Sequence, residues 1–296
     1  MTNKPVKSNL KMKQRRVVSK NCKPLVIVDD EQKTYSLNEI LNKVIWGDCL
    51  KVMKKIPDEC VDCVFVDPPY FLQLPRSKKL LRWNGSVVNG VNDQWDVFKN
   101  FDDYDEFTKN YLLEIKRLMK PNATIWVIGT YHNIHRIGKI MMDLGFWILN
   151  DVIWLKTNPM PNFLKVRFTN ATETLIWAVK DKKVKNYVFN KEVAESYGEG
   201  KLGINVWRIP ICAGKERLRD EKGRKIHSTQ KPEELLKRII LVSTKEGDIV
   251  FDPMAGTGTT GFVAQKLKRK FIMIEKEKRY VDAILERFNS AFNCLF

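Results

Sequence analysis

The chain has 296 residues, enough for one large α/β domain or two small ones, and 44% of them are hydrophobic, as in globular proteins with a sizeable core. Its formal net charge of +17 indicates a polyanionic partner such as nucleic acid, although a basic surface that only keeps the protein in solution is the alternative. There is no apolar run of transmembrane length, no recognisable signal peptide and no disulfide framework among the six scattered cysteines, so we exclude a membrane or secreted protein and expect a reduced, cytosolic compartment.

The first part of the chain, residues 1 to about 35, is rich in Lys and Arg and lacks hydrophobic periodicity. This predicts a basic N-terminal extension that either contacts nucleic acid or serves as a solubilising tail. Residues 36–296 form the remaining domain, in which short apolar strands alternate with amphipathic helices. The elements predicted in its first half are strands at 44–46, 61–66, 123–128, 146–155 and 173–179 and helices at 50–56, 104–119 and 133–144. The last two strands have no long crossover between them, so we expect them to be antiparallel.

The apolar segment 61–66 leads into the tetrapeptide Asp67-Pro68-Pro69-Tyr70. Its Val and Phe content predicts a buried parallel strand, which the two prolines stop because neither can donate a hydrogen bond to a neighbouring strand. The motif therefore places a carboxylate, a rigid backbone and an aromatic ring at the carboxyl end of a strand, where open α/β sheets bind ligands. Residues 71 to about 100 follow as a long loop rich in Asn, Gly and Lys, which we expect to act as a lid.

The tetrapeptide suits the activation of an exocyclic amine on a nucleic-acid base. Such an amine is a poor nucleophile because its lone pair is delocalised into the ring. The Asp67 carboxylate can accept one N–H and the Pro68 carbonyl the other, while Tyr70 can stack on a base that has left the helix. The alternative is a structural role, in which the prolines form a turn and Tyr70 covers the core.

The second half of the chain begins with a change in character. Residues 180 to about 228 are polar and basic with few periodic elements, which predicts an insertion that recognises a partner. Regular structure then resumes, with helices at 232–243, 259–267 and 278–291 and strands at 248–251 and 270–274. Cys60 and Cys63 form a C-x-x-C pair, but no second pair completes a zinc site, so we predict no metal.

A loop with three glycines, residues 252–261, joins the strand at 248–251 to the next helix. Gly256 and Gly258 permit a ligand to approach the backbone at the helix N-terminus. Glu275 ends the following strand, near the ~20-residue offset at which an acidic side chain meets a ribose. The loop lacks the Gly-Lys-Ser/Thr ending of a P-loop and matches the dinucleotide fingerprint only in part. An acidic mouth without lysine suits a ligand that has adenosine and a positive centre but no phosphate, such as S-adenosylmethionine.

Together these motifs resemble the β-class of DNA amino-methyltransferases, in which the catalytic motif precedes the cofactor motif. Within that class the chain is similar to the cell-cycle-regulated adenine methyltransferases that modify GANTC. The resemblance runs from about Lys43 to Arg287. Besides the tetrapeptide and the glycine loop, it rests on residues 47–50, 126–134, 158–163, 167–174, 208–210, 214–218 and 227–232.

The resemblance implies a Rossmann-like α/β methyltransferase fold, with a mostly parallel seven-stranded sheet and helices on both faces. It implies that Asp67 to Tyr70 is the catalytic motif, that Asp48 binds the adenine amino group of S-adenosylmethionine, and that Glu275 binds its ribose. Lys231 would pair with the carboxylate of the cofactor's methionine part. The full predicted cofactor site consists of Asp48, Thr229, Gln230, Lys231, Pro232, Asp252, Pro253, Met254, Gly256, Gly258, Thr259, Thr260 and Glu275.

The sequence departs from the family pattern in two places. Phe71 stands where the family usually has Asn after the catalytic Tyr. The last predicted helix ends close to Phe296, whereas the GANTC enzymes usually continue into a further DNA-binding domain. Both departures bear on DNA affinity and strand handling more than on the chemistry.

Several basic and amide side chains are predicted to contact DNA, with Lys and Arg at phosphates and Asn and Arg at base edges. A solvated basic loop is the alternative. The predicted residues are Lys156, Asn158, Asn162, Lys165, Arg167 and Arg208.

The predicted function is methylation of N6 of adenine in double-stranded DNA, with GANTC as the site. N4 of cytosine is a close alternative because it is the same kind of amine, and RNA is a less favoured target. A non-catalytic DNA-binding protein would be expected to lose Asp67 or the glycine loop, and the tetrapeptide argues against a nicotinamide-dependent oxidoreductase. The predicted partner is double-stranded DNA and not a membrane, a homodimer is compatible with the sequence, and the expected location is the bacterial cytoplasm at the nucleoid.

Overall fold

A computed structural model describes residues 25–72, 80–81, 87–88, 96–162, 166–198 and 203–292. These residues form a nine-stranded sheet between two layers of helices, together with a small two-stranded sheet. The strands are β1 (Val26–Val28), β2 (Lys43–Trp46), β3 (Val61–Val66), β4 (Leu80–Leu81), β5 (Val87–Val88), β6 (Met119–Gly129), β7 (Trp147–Lys156), β8 (Thr172–Val179), β9 (Val206–Ile209), β10 (Ile249–Asp252) and β11 (Lys270–Glu275). The helices are α1 (Leu37–Ile40), α2 (Cys49–Met53), α3 (Phe101–Leu118), α4 (Ile134–Asp143), α5 (Lys191–Ser196), α6 (Glu233–Ser243), α7 (Thr259–Lys266) and α8 (Lys278–Phe292).

The large sheet has the strand order β1-β2-β11-β10-β3-β6-β8-β7-β9. All neighbouring strands are parallel except β8, which runs antiparallel to both β6 and β7, as expected for the pair of strands without a crossover. The carboxyl ends of eight strands and the amino end of β8 therefore lie along one side of the sheet, which we call the carboxyl edge.

Each face of the sheet carries its own hydrophobic core. Helices α1 to α4 cover one face and α6 to α8 cover the other. The 18-residue helix α3 shows why these segments fold as predicted: its apolar residues recur on one side, and Tyr111, Leu112 and Ile115 are buried. Its N-terminus is capped by the Asn100 side chain, which accepts a hydrogen bond from the backbone N–H of Asp103. In the part of the chain that the structure describes, none of the helices is long and apolar enough to cross a membrane.

The fold class predicted from the sequence is confirmed, but the prediction of seven strands is wrong, because β1 and β9 also join the large sheet. Strand β1 pairs with β2, and Leu25 and Tyr35 are buried, so residues 25–35 belong to the domain and not to an extension. Strand β9 arises from the segment predicted as an insertion and pairs with β7. Both strands have only three or four residues, too few for a periodic signal. Residues 1–24 of the predicted extension lie outside the described residues.

Candidate active site

The two predicted motifs meet at the carboxyl edge. Asp67 follows β3, and Asp252 ends the adjacent strand β10. From β3 the chain crosses to β6 on one side, whereas from β10 it crosses to β11 on the other, and a crevice forms where such connections diverge. A cavity of about 400 Å³ opens there, and residues of both motifs line it. It is large enough for a nucleoside-sized ligand.

Asp67 holds a buried lysine. Both of its carboxylate oxygens accept hydrogen bonds from Nζ of Lys231, at 2.8 and 2.7 Å. Burial alone would lower the pKa of Lys231, but the carboxylates of Asp67 and Glu173 raise it above its usual value. Lys231 therefore stays protonated and fixes the orientation of the Asp67 carboxylate at the cavity wall. The partner of Lys231 in this structure is thus Asp67 of the tetrapeptide, and its predicted pairing with the cofactor stays a prediction.

The backbone of the tetrapeptide is braced from α3 and from the turn that precedes α4. The hydroxyl of Tyr104 donates to the carbonyl of Pro69 at 2.8 Å, and the side-chain amide of Asn133 donates to the same carbonyl at 3.4 Å. Among the described residues, no donor lies within hydrogen-bonding distance of the Pro68 carbonyl. Of the two proline carbonyls, the one that the sequence analysis predicted as an acceptor is therefore the one that makes no hydrogen bond to the described part of the chain.

Tyr70 is buried and anchored at its hydroxyl, which donates to Oε2 of Glu173 at 2.8 Å. Nζ of Lys231 lies 5.2 Å from the centroid of the Tyr70 ring, within the range of a cation–π contact. The ring lines the cavity beside Asp67. The sequence analysis did not predict Glu173 as a site residue, and Glu173 belongs to no motif other than the segment 167–174.

Phe71, the departure from the family pattern, packs away from the cavity. Its ring contacts Phe98 and Phe101 edge-on and stacks on Tyr104. Its backbone is left-handed, with φ of 49°, and its N–H donates to Oδ1 of Asp96 at 2.6 Å. Phe71 therefore anchors the start of the following loop and is not among the described residues that line the cavity. Most of that loop, predicted to be a lid, lies outside the described residues.

The glycine loop needs its glycines for two different reasons. Gly256 has φ of 52°, donates its N–H to Oε2 of Glu275 at 2.7 Å, and would bring a Cβ to 3.2 Å from the His227 ring. Gly258 has φ of 70° at the start of α7, and a Cβ there would lie 2.8 Å from the Ile284 side chain. The cavity-lining residues do not include Gly258, in contrast to its prediction as a cofactor contact, because it faces α8.

Two buried carboxyls lie at the centre of the predicted cofactor site. Burial raises the pKa of Asp252 to about 7, although the Thr260 hydroxyl and the backbone N–H of Met254 donate to it. Burial likewise raises the pKa of Glu275 to about 7, against hydrogen bonds from the backbone N–H groups of Glu277 and Gly256. Both side chains line the cavity.

These raised pKa values predict how stability depends on pH. Between the ordinary carboxyl pKa and about 7, the folded chain holds protons on Asp252 and Glu275 that the unfolded chain has released. The free energy of unfolding of the ligand-free protein should therefore fall as pH rises towards 7 and should level off above it. Urea denaturation should give a lower midpoint at pH 8 than at pH 6, and Glu275→Gln should reduce the difference. Equal pH dependence in the wild type and the variant would contradict this origin.

The structure brings together almost all of the predicted cofactor residues. Asp48 caps α2 through the N–H of Leu50 and forms an ion pair with Lys276 at 3.1 Å. The side chain of Gln230 bonds the backbone of Leu218 and Glu216, so it braces the segment 214–218. Of the predicted catalytic and cofactor residues, Pro232 and Gly258 do not line the cavity. Those that do are Asp67, Pro68, Pro69, Tyr70, Asp48, Thr229, Gln230, Lys231, Asp252, Pro253, Met254, Gly256, Thr259, Thr260 and Glu275.

The sequence analysis missed His227 and Tyr280, whose rings lie 4.5 Å apart at the cavity wall. His227 is the first residue of the segment 227–232, which contributes to the family resemblance, so the sequence offered a reason to include it in the predicted site. Tyr280 is on α8, where nothing in the sequence distinguished it from a core residue.

One of the predicted DNA contacts must be corrected. The Lys156 side chain is only 11% exposed, and its Nζ lies 2.9 Å from Oε1 of Glu173, so its charge is paired within the protein and not presented to a phosphate in this structure. Arg167 and Arg208 are exposed at the carboxyl edge. Asn158 accepts a hydrogen bond from the N–H of Ile211, and Asn162 donates to the carbonyl of Arg167, so both amides brace loops at that edge. Lys165 lies outside the described residues.

A comparison with known families shows the family to which the chain belongs. The sequence profile of the DNA methylase family matches residues 61–286, which include the tetrapeptide, the glycine loop and Glu275. The chain belongs to the DNA methylase family. The methylase is 50% identical over 252 residues to the type II methyltransferase M.HinfI of Haemophilus influenzae, across 85% of this chain and 69% of the relative. It is 39% identical over 246 residues to the type II methyltransferase M2.LlaDCHI of Lactococcus lactis subsp. cremoris, across 83% of this chain and 88% of the relative.

Solved structures share the fold of the methylase. The crystal structure of M1.HpyAVI in complex with S-adenosylmethionine matches with a TM-score of 0.59 and 28% identity, over 83% of this chain and 98% of that chain. The cytosine-N4-specific PvuII DNA methyltransferase matches with a TM-score of 0.63 over 83% of this chain and 86% of that chain, and at 21% identity it shows the fold alone.

The methylase uses S-adenosylmethionine, as the sequence predicted, and the cavity suits that molecule. Among the described residues, six carboxyl side chains line it, from Asp48, Asp67, Asp96, Asp252, Glu275 and Glu277, together with two lysines. Each of these lysines is paired with one of the carboxylates, Lys231 with Asp67 and Lys276 with Asp48. Such a wall favours a cationic sulfonium and disfavours phosphate groups. S-adenosylmethionine would supply an electrophilic methyl group, and the Asp67 carboxylate and the Pro68 carbonyl belong to residues that line the same cavity.

Proposed function

We propose that the methylase transfers the methyl group to N6 of adenine in double-stranded DNA. The observation that carries methyl transfer to an exocyclic amine is the pair of acceptors at the cavity wall, the Asp67 carboxylate and the Pro68 carbonyl. Each accepts one hydrogen of the target amine, which frees the nitrogen lone pair from the ring, and the Tyr70 ring lies where it can stack on the base. An extrahelical base is required because the amine cannot reach the cavity within a duplex. The choice of adenine over cytosine rests on the resemblance of the chain to the adenine methyltransferases.

The cofactor contacts are part of the same proposal. Glu275 accepts hydrogen bonds from the ribose hydroxyls, Asp48 binds the adenine amino group, and the glycine loop from Asp252 to Thr260 surrounds the middle of the molecule. This assignment is supported by the buried carboxyls that face the cavity and by the backbone N–H of Gly256, which Glu275 holds in place.

We propose GANTC as the target sequence. The proposal rests on the resemblance of residues 158–173 and 208–218 to the GANTC enzymes, and on the position of Arg167 and Arg208 at the carboxyl edge. Arginine is suited to bidentate contacts with guanine, and asparagine to contacts with adenine. A role in type II DNA modification is proposed from the names of the two relatives.

The test is to incubate the protein with duplex DNA and isotopically labelled S-adenosylmethionine, and to digest the product to nucleosides. We expect label in N6-methyladenine and, after single-molecule sequencing, at the adenine of GANTC. A DNA duplex in which GANTC is changed at one base serves as the control. Label in N4-methylcytosine would overturn the adenine assignment, and methylated adenines in an unrelated sequence would overturn GANTC alone.

A further inference from the structure

Glu173 lies at the centre of a buried network of hydrogen bonds and ion pairs beside the tetrapeptide. Its Oε2 accepts the hydrogen bond of the Tyr70 hydroxyl at 2.8 Å and lies 3.9 Å from Nζ of Lys231. Its Oε1 pairs with Nζ of Lys156 at 2.9 Å. The side chains of Glu173 and Lys156 are each only 11% exposed. One carboxylate thus contacts the aromatic ring of the motif and two lysines.

The same carboxylate joins the two ends of a loop. Lys156 is the last residue of β7 and Glu173 is the second residue of β8, and the strands are paired up to Leu155 and Thr172. Residues 157–171 lie between these two positions and include Asn158, Asn162 and Arg167. The ion pair therefore fixes the base of a loop at the carboxyl edge, on the side where Tyr70 is anchored.

We propose that Glu173 is a positioning residue for methyl transfer, and this inference rests on the proposed function of the tetrapeptide. Through its bond to the hydroxyl, Glu173 fixes the plane of the Tyr70 ring against which the target base stacks. Through Lys231 it steadies the cation that orients Asp67, and through Lys156 it ties this arrangement to the loop 157–171. Glu173 acts through these neighbours and does not contact the methyl group.

The test compares Glu173→Gln, Tyr70→Phe and the double variant in single-turnover methylation. Glu173→Gln should lower the rate of methyl transfer by about 10²-fold, the size expected when a reacting group is misplaced by ~1 Å, while KM for DNA stays close to that of the wild type. Tyr70→Phe keeps the ring and removes the hydroxyl, which bonds Glu173 and also interacts with the Asp67 carboxylate, so it should also slow the reaction. If the two residues act together, the double variant should be no slower than the slower single variant.

A matched control is available at the far edge of the sheet. Asp29, 10% exposed, accepts a hydrogen bond from the Tyr35 hydroxyl at 2.7 Å and pairs with Lys55 at 2.8 Å. Asp29→Asn thus removes a carboxylate with the same kinds of partner, and it should lower the melting temperature with little change in the rate of methyl transfer. A wild-type rate in Tyr70→Phe, or fully additive losses in the double variant, would overturn the positioning role of Glu173.

A failure of the positioning role of Glu173 can be distinguished from a failure of the proposed function. The methylated base made by the wild type is identified first, and the variants are then compared on that base. If the wild type methylates cytosine, the adenine assignment fails, while the comparison of Glu173→Gln with Asp29→Asn still tests the role of Glu173.

Discussion

Asp67→Ala should lower the rate of methyl transfer by about 10³-fold or more, because the target amine loses the charged acceptor that frees its lone pair. Single-turnover assays with labelled S-adenosylmethionine, at saturating DNA, measure the rate directly. Calorimetry should show that cofactor affinity changes far less than the rate, since Asp67 is proposed to act on the base. Methylation close to the wild-type rate would refute the proposed mechanism.

The control for this variant lies on the same strand. Asp62, 17% exposed, binds Nζ of Lys120 through both oxygens at 2.8 Å, much as Asp67, 18% exposed, binds Lys231. Asp62→Ala removes a comparable ion pair from the opposite end of β3, so it should lower stability without lowering the rate of methyl transfer by orders of magnitude. Asp67→Asn adds a second comparison, because it keeps the size of the side chain while removing its charge.

Glu275→Ala should weaken S-adenosylmethionine binding by about 10²–10⁴-fold, since each hydrogen bond to a charged group contributes ~1.5–3 kcal/mol and two ribose hydroxyls are proposed to donate. The variant also loses the acceptor that holds the N–H of Gly256, so the glycine loop loses an anchor. Calorimetric titration of the protein with the cofactor measures the effect without any need for turnover.

Glu286→Ala is the control for Glu275→Ala. Glu286 is exposed on α8, so its removal should leave cofactor affinity unchanged. Unchanged affinity in Glu275→Ala as well would remove Glu275 from the cofactor site. Gly258→Val would be a poor test of the cofactor site, because a branched side chain there collides with Ile284 and disturbs the packing of α7 on α8.

The fold and the two motifs could be read from the sequence because their signals are local. Continuous apolar strands that stop at prolines, as at Pro68 after Asp67 and at Pro253 after Asp252, mark strand ends whatever the rest of the chain does. The parallel arrangement then brings those ends to one edge. Short strands such as β1 and β9 gave no such signal, and they were recovered only through their pairing with β2 and β7.

The polar contacts of the site could not be predicted, because they join residues that are far apart in the chain. Lys231 and Asp67 are separated by 164 positions, and Glu173 and Tyr70 by 103. Lys156 shows the consequence: a lysine after an apolar strand was expected to face phosphates, but its partner Glu173 arrives from the next strand and buries it. Exposure of a charge depends on such tertiary partners and not on the local sequence.

The reversed direction of β8 has a consequence for how this enzyme can diverge. Two parallel strands would need a long crossover between them, whereas the hairpin of β7 and β8 needs only a loop. Its ladder, from Trp147 opposite Val179 to Leu155 opposite Thr172, fixes the register whatever the length of that loop. Changes in the length or composition of the segment 157–171 therefore leave the ladder of β7 and β8 in place. The hairpin can thus hold loops of different sequence on the same pair of strands.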